Sequence, residues 1–148
     1  MHCCHARPHA VARIKGGPDA PLLHGEVRFY QERGSVLVVA ELSGMPNCSK
    51  TGFFGLHIHE GDFCEGDAFA QTGSHYNPKD MAHPNHTGDL PPLMRCGNRA
   101  FLAVRTDRFC VQEIIGRTVV IHDRADDFRS QPSGNAGEKI ACGIICKK

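Results

Sequence analysis

Hydrophobic and polar residues alternate along much of the chain with a period of two, which is typical of half-buried β-strands. Gly97-Asn98 forms a hairpin signal between two such segments, and no segment shows a convincing helical period. The pattern predicts an all-β fold, an eight-stranded antiparallel Greek-key barrel or immunoglobulin-like sandwich. The predicted strands cover residues 9–15, 26–30, 35–42, 53–60, 93–96, 99–106, 117–122 and 139–146.

Two long segments interrupt the strand pattern, residues 61–90 and residues 123–138. A long loop without periodicity inside a compact domain is usually functional. We therefore predict two functional loops, and we expect metal ligation to order the first of them.

The first loop and the strand before it carry five of the ten histidines. His57 and His59 are two residues apart on a predicted strand, so their side chains share one face. His122 ends an apolar run far downstream. Together with one carboxylate, these imidazoles exceed the needs of a single metal ion, so we predict two adjacent metal sites. The candidate ligands are His57, His59, His75, His83, His86, His122 and Asp89.

The spacing of the candidate ligands divides them into two sets. His83, His86 and Asp89 follow His75 closely, and a loop can fold three imidazoles and a carboxylate into the closed tetrahedron that suits zinc. The remaining strand histidines, with one shared imidazole, form an all-nitrogen set that suits copper. His75 lies between the two sets in sequence and is the natural candidate for the shared ligand.

The composition excludes several other classes of protein. A net charge of +1 over 148 residues argues against a nucleic-acid partner, and the longest apolar runs are too short to cross a membrane. The first 16 residues contain no apolar signal core, so we expect a cytoplasmic protein, or a periplasmic or extracellular one if a signal has been removed.

Eight cysteines predict one structural disulfide and several free thiols. Cys3 and Cys4 lie with two histidines in a predicted flexible tail, residues 1–8, ahead of a single domain over residues 9–148. The tail is either a copper- or zinc-capturing cluster or a chance grouping.

Several motifs, in their order along the chain, resemble the copper–zinc superoxide dismutase family in its bacterial style. The resemblance covers roughly residues 9–146. The motifs are GLHIHE at 55–60, GSHYNP at 73–78, HTGDL at 86–90, IGRTVVIH at 115–122, DD at 126–127, GNAG at 134–137 and ACG at 141–143.

The resemblance implies one copper and one zinc ion per chain. Copper would be held by His57, His59, His75 and His122, and zinc by His75, His83, His86 and Asp89. His75 would bridge the two ions, and Asp126 would tie a copper histidine to a zinc histidine. Cys64 and Cys142 would form the disulfide.

The implied activity is dismutation of superoxide to dioxygen and hydrogen peroxide by a copper redox cycle, which protects against superoxide. Zinc would order the loop and hold His75, which would carry a proton between the two half-reactions.

The chain departs from the family at Lys139, where an arginine is usual beside the copper. Lysine is a mobile point charge, so we expect Lys139 to attract superoxide but to dock it less rigidly. Only two residues separate His83 from His86, which leaves zinc affinity and loop rigidity open. The six cysteines outside the disulfide have no family role, and we expect most of them to be buried and inert.

Two other functions stay open at this point. A copper-delivery protein on the same fold would use Cys3 and Cys4 for transfer, and a zinc-stabilised module with little activity would account for Lys139. Superoxide is the expected substrate, with a homodimer and a copper donor as further candidate partners.

Overall fold

The computed structural model describes residues 7–148 and is built almost entirely from β-strands. Two short helical segments, a 3-10 turn at Asp67–Thr72 and the single-turn helix α1 at Val111–Ile114, are too brief to leave a helical period in the sequence. The strands are β1 (Ala10–Gly16), β2 (His24–Glu32), β3 (Ser35–Ser43), β4 (Phe53–Phe54), β5 (Leu56–His59), β6 (Leu93–Cys96), β7 (Arg99–Thr106), β8 (Thr118–His122) and β9 (Lys139–Lys147).

The strands form one antiparallel sheet in the order β4-β6-β7-β3-β2-β1-β9-β8-β5. Gly55 alone separates the two strands at the ends of this order, so the sheet curls into a barrel. The predicted antiparallel Greek-key architecture is confirmed. The number of strands differs from the prediction, because the expected strand 53–60 changes partners at Gly55. Phe54 pairs with Leu93 on one side, and Leu56 pairs with Ile121 on the other.

The hydrophobic core fills the barrel, as the alternation predicts. On β2, Val27 and Phe29 are fully buried, while their neighbours are partly exposed. On β5, Leu56 and Ile58 also point inward and are fully buried. The two histidines of β5 therefore lie on the outer face of the barrel, yet they are buried too, because the long loops cover that face.

The first long loop covers the edge of β5 that β8 does not pair. Tyr76 donates its backbone N–H to the Ile58 carbonyl, and Ile58 donates to the Gly88 carbonyl, both at 2.8 Å. Gly88 in turn donates to the Tyr76 carbonyl at 2.9 Å. Backbone pairing with β5 therefore helps to set the path of the loop, in addition to its side chains. The pairing also covers an edge of β5 that would otherwise be exposed.

A disulfide joins Cys64 in the first loop to Cys142 on β9, with the two Cα atoms 5.7 Å apart, so the disulfide prediction is confirmed. The two cysteines are 78 residues apart, and closing a loop of that length restricts the unfolded chain by about 3–5 kcal/mol in the loop-entropy model.

The free thiols differ from the prediction. All four that the described residues contain are exposed, so the expectation that most are buried is wrong for this part of the chain. They lie in short polar turns or at outward-facing strand positions, where the side chain cannot be buried in the hydrophobic core. They are Cys48, Cys96, Cys110 and Cys146.

Cys3 and Cys4 lie outside the described residues, so the predicted tail of residues 1–8 and the boundary that follows it stay predictions. Among the helices of residues 7–148, none is long and apolar enough to span a membrane.

Candidate metal centre

The predicted ligands come together as two buried groups that share His75. Within each group the potential ligand atoms lie within 4.8 Å of one another. The first group is His57, His59, His75 and His122, and the second is His75, His83, His86 and Asp89.

Strand pairing positions three of the four ligands in the first group. His57 and His59 lie on β5, which pairs in antiparallel register with β8. His122 ends β8, where the register with β9 shifts, and its backbone N–H donates to the Gly55 carbonyl at 2.9 Å. All three imidazoles are at most 3% exposed, so the low dielectric of the interior surrounds them.

Backbone carbonyls fix the protonation of two of these rings. His59 Nδ1 lies 2.9 Å from the Gly73 carbonyl oxygen, and His122 Nδ1 lies 3.3 Å from that of Gly137. A carbonyl oxygen can only accept, so each Nδ1 carries the proton and each Nε2 keeps its lone pair. The two Nε2 atoms lie 3.3 Å apart, a contact between lone pairs that a bound cation would make favourable.

His57 and His75 each bring a buried nitrogen with no hydrogen-bond partner. His57 Nε2 donates to Asp126 at 2.7 Å, which leaves Nδ1 as an unpartnered acceptor. His75 Nδ1 lies 2.8 Å from Asp89, which leaves its Nε2 without a partner. Buried polar atoms without partners are costly, so a site with this donor set fits a metal ion. The all-nitrogen set fits copper.

The second group converges on the carboxylate of Asp89. The Nδ1 atoms of His75, His83 and His86 lie 2.8, 3.1 and 3.3 Å from its oxygens. His83 Nε2 donates to Asp126 at 2.8 Å, so His83 Nδ1 keeps its lone pair and is buried without a hydrogen bond. Three imidazole nitrogens and one carboxylate oxygen form the donor set of a zinc site.

Asp126 connects the two groups through the second long loop. Its two oxygens accept hydrogen bonds from His57 and His83, and these bonds hold the pKa of the Asp126 carboxyl well below its usual range although burial opposes them. Gly134 makes room for this carboxylate. Its φ is +70°, and a Cβ at that position would lie 2.0 Å from Asp126 Oδ1.

Burial keeps His57, His59 and His122 as neutral imidazoles at pH 7, each with one ring nitrogen free to bind a metal. Burial lowers the pKa of His57 to about 4 and that of His122 to about 3, and it lowers the pKa of His59 well below its usual value. Since a metal and a proton compete for the same lone pair, these rings are ready to bind a metal at pH 7.

The first group opens onto a cavity of about 470 Å³ that His59, His75, His122 and Lys139 help to line. Lys139 Nζ donates to Thr72 Oγ1 at 2.8 Å and to the Gly73 carbonyl at 2.9 Å. A lysine is expected to be a mobile charge, whereas these two hydrogen bonds tether the ammonium group of Lys139. Burial lowers the pKa of Lys139, and the Glu138 charge opposes that effect.

Apart from Asp126, the groups that orient the ligands are not recognisable in the sequence. The Gly73 carbonyl accepts from both His59 and Lys139, and the Gly137 carbonyl accepts from His122. Every residue has a backbone carbonyl, so nothing in the sequence distinguishes the carbonyls of Gly73 and Gly137 from the others. Thr72 Oγ1 is a side-chain acceptor, but its partner Lys139 lies 67 residues away.

Known proteins match this chain over most of its length. The family model for copper/zinc superoxide dismutase matches residues 23–145. Superoxide dismutase (Cu-Zn) 4 of Dictyostelium discoideum is 35% identical, covering 93% of this chain and 97% of that protein. The copper chaperone for superoxide dismutase of Homo sapiens is 32% identical, covering 93% of this chain and 53% of that protein.

Extracellular superoxide dismutase (Cu-Zn) of Rattus norvegicus is 33% identical over 93% of this chain. The chain spans 62% of the length of that rat relative and 61% of its counterpart in Mus musculus. The matched relatives come from animals, a plant, a slime mould and the bacterium Aquifex aeolicus. The family match covers more than half of the described barrel and both ligand groups, and the chain belongs to the copper/zinc superoxide dismutase family.

Proposed function

We propose that the chain dismutates superoxide, converting two superoxide anions and two protons into one dioxygen and one hydrogen peroxide. The observation that carries the proposal is the pair of donor sets fused at His75, one suited to copper and one to zinc. Membership of the copper/zinc superoxide dismutase family supports the same reaction.

Copper held by His57, His59, His75 and His122 would supply the one-electron redox chemistry, and zinc, which has none, would hold the loop and the shared ring. His75 is the proposed proton carrier. Its Nε2 faces the first group without a hydrogen-bond partner, so that atom can take up a proton and later return it. Its Nδ1 lies beside Asp89, which keeps the ring in one orientation during both events.

Lys139 is the proposed guide for the substrate. It lines the cavity onto which the first group opens, and it holds a positive charge where an anion would enter. Two of its ammonium protons are used by Thr72 and Gly73, which leaves one N–H for the substrate. An arginine would offer a planar fork of donors instead, so we expect weaker docking of superoxide with lysine.

A copper-delivery role is the second candidate, because the human copper chaperone for superoxide dismutase also matches. A delivery protein must release its copper, whereas the four nitrogen donors here are buried and oriented by hydrogen bonds. These features favour retention. A zinc-stabilised module with little activity is the third candidate, and it rests only on Lys139.

Metal analysis combined with a superoxide-dismutation assay distinguishes the three functions. One copper and one zinc per chain with rapid turnover is the result we expect, and His122→Ala should lose copper and turnover while it keeps zinc. Transfer of copper to an acceptor without turnover would establish delivery. Zinc alone, after copper has been offered, would establish the inactive module.

We infer the cytoplasm from four exposed free thiols among the described residues, while the Cys64–Cys142 disulfide is the feature that favours an oxidising compartment. The names of two relatives place them outside the cell, and secretion is the alternative. Cell fractionation with thiol labelling distinguishes the two, since secretion into an oxidising compartment would leave the exposed thiols blocked.

Homodimer formation and copper supply by a donor protein complete the proposal. Sedimentation of the metal-loaded protein tests the dimer, and a monomer at micromolar concentration would refute it. Copper content after expression with and without a copper chaperone tests the donor.

A further inference from the structure

Two side chains from outside the ligand set hold the backbone of residues 82–89, the segment of the first long loop that carries His83, His86 and Asp89. Arg108, in the connection between β7 and α1, supplies the first contact. Its Nη1 donates to the Pro84 carbonyl at 2.7 Å and lies 3.2 and 3.4 Å from the carbonyls of His86 and Asp89. One guanidinium nitrogen therefore contacts three backbone carbonyls of the same segment.

Gln131, in the second long loop, supplies the other contact. Its Oε1 accepts the backbone N–H of His83 at 2.9 Å, and its Nε2 donates to the His83 carbonyl at 2.7 Å. An amide side chain that satisfies both backbone groups of one residue fixes the position of that residue in two directions. Asp126, from the same long loop, fixes the side chain of His83.

These contacts matter because the loop has little regular structure of its own. Asn85 donates to the Ala82 carbonyl and Asp89 donates to the His86 carbonyl, which makes two short turns, and no strand passes through the ligands. Three carbonyl dipoles pointing toward one side repel one another unless a donor lies between them. The positive, planar guanidinium of Arg108 is suited to that position.

We propose that Arg108 and Gln131 are positioning residues for zinc, which hold the loop backbone so that the Nδ1 atoms of His83 and His86 already face Asp89 before the ion arrives. The inference rests on the proposed assignment of zinc to this group. The proposal also explains the close spacing of His83 and His86. Because contacts from outside the segment hold its tight turns in place, both imidazoles can reach the ion with only two residues between them.

Preorganisation predicts a specific kinetic effect. When one ligand dissociates from the ion, a loop that is held in place returns that ligand to the ion before the other ligands dissociate. Loss of the contacts from Arg108 and Gln131 should therefore raise the rate at which zinc dissociates. Removal of a group that orients metal ligands typically costs about 10–100-fold in metal affinity. Copper should be affected much less, because strands carry three of its ligands.

The experiment compares zinc release from the metal-loaded protein for Arg108→Met, Arg108→Lys and Gln131→Ala, using a chromogenic chelator in excess. The matched control is Arg105→Met, since Arg105 lies three residues away and pairs with Glu32 on the barrel surface. We expect zinc release to be about 10–100-fold faster for Arg108→Met, faster by a smaller factor for Arg108→Lys and Gln131→Ala, and unchanged for the control. Copper release should stay within about twofold of wild type.

The melting temperature of each metal-free variant separates positioning from general stabilisation. Faster zinc release with a metal-free melting temperature close to that of the control supports the inference. Wild-type zinc release in Arg108→Met and Gln131→Ala overturns it, and so does an equal acceleration in Arg105→Met. A wild-type protein that takes up no zinc overturns the zinc assignment and the inference with it, whereas zinc uptake without dismutation refutes only the proposed activity.

Discussion

The two halves of the metal centre share His75 but are built in different ways. His57, His59 and His122 come from neighbouring strands of the barrel, and the hydrogen bonds of the sheet fix their backbones. His83, His86 and Asp89 come from one segment of the first long loop, and contacts from other parts of the chain fix that backbone. The first half is therefore rigid before a metal binds. The second half is paired to β5 only next to Asp89, and around His83 and His86 it depends on neighbouring side chains and on the ion itself.

This difference suits the proposed division of work. A redox ion needs ligands that move little between its two states, and a sheet supplies them. A structural ion can order a loop, and the free energy of ion binding then contributes to the free energy of folding of that loop. His75 belongs to both halves. It lies in the loop, and its backbone pairs with that of His59 on β5.

Removal of zinc should show the difference between the two halves most clearly. At free zinc about 1,000 times Kd, the ion stabilises the folded loop by about 4 kcal/mol, so chelation should lower the hydrogen-exchange protection of the loop amides by up to about 1,000-fold. The backbone N–H groups of Tyr76 and Gly88 report on the loop, and those of Val119 and Val120 report on β8. Removal of copper alone should leave both sets protected. Equal loss of protection in β8 after zinc removal would contradict the distinction.

Lowering the pH should destabilise the metal-free protein through the strand histidines. Because burial lowers the pKa of His57 to about 4 and that of His122 to about 3, the unfolded chain binds more protons than the folded chain below the usual histidine pKa of about 6.5.

Stability should therefore be complete above about pH 6.5 and fall toward pH 4, by about 3 kcal/mol for each of these two rings and by about 12–24 °C in melting temperature for both together. Thermal unfolding of the metal-free protein across this range measures the effect. His57→Gln should flatten the dependence, and an unchanged slope would exclude His57 as a cause.

Asp126→Asn should weaken both halves at once, because one carboxylate holds a histidine of each group. Metal affinity should fall by about 10–100-fold at both sites, which corresponds to about 1.4–2.8 kcal/mol. Asp127→Asn is the matched control, since the carboxylate of Asp127 accepts hydrogen bonds from Arg129 and Ser130 within its own loop and contacts none of the ligand histidines. Competition titrations with chelators give the affinities, and an effect confined to one metal would show that the two halves are not linked here.

Lys139→Ala should have the smallest effect, a loss of about threefold in kcat/KM at low ionic strength. The loss should shrink as salt is added, because a lysine at the cavity mouth acts mainly by long-range attraction of the anion. Lys139→Arg should restore or exceed the wild-type rate. A rate of Lys139→Ala equal to that of wild type at low salt would remove this lysine from the proposed function.

Much of the fold could be read from the alternation of residues. The predicted bounds of the strands at 93–96 and 99–106 match β6 and β7, because a hairpin signal fixes both inner ends. The segment 53–60 was predicted as one strand, and the structure divides it at Gly55. The change of partner depends on where β6 and β8 lie, and those positions are set by residues far away in the chain.

The metal ligands could also be predicted, since histidine and aspartate are uncommon enough at close spacing to stand out. The same is true of the disulfide, which followed from the resemblance to the family and is confirmed. The contact of Asp126 with two of the histidines also followed from the resemblance, but the other contacts that orient the ligands could not be predicted. Arg108 and Gln131 resemble any other surface arginine and glutamine in the sequence, and the carbonyls of Gly73 and Gly137 resemble any others.

Local patterns along the chain specify the strand-rich architecture, the chemical types of the candidate ligands and their division into two sets, because side-chain period and ligand chemistry are local properties. Which nitrogen of each histidine is free, how Lys139 is tethered and how the segment that carries His83, His86 and Asp89 is held are fixed by contacts between distant parts of the chain. Those features depend on hydrogen bonds between residues separated by up to 69 positions, and such distances are set only when the barrel closes.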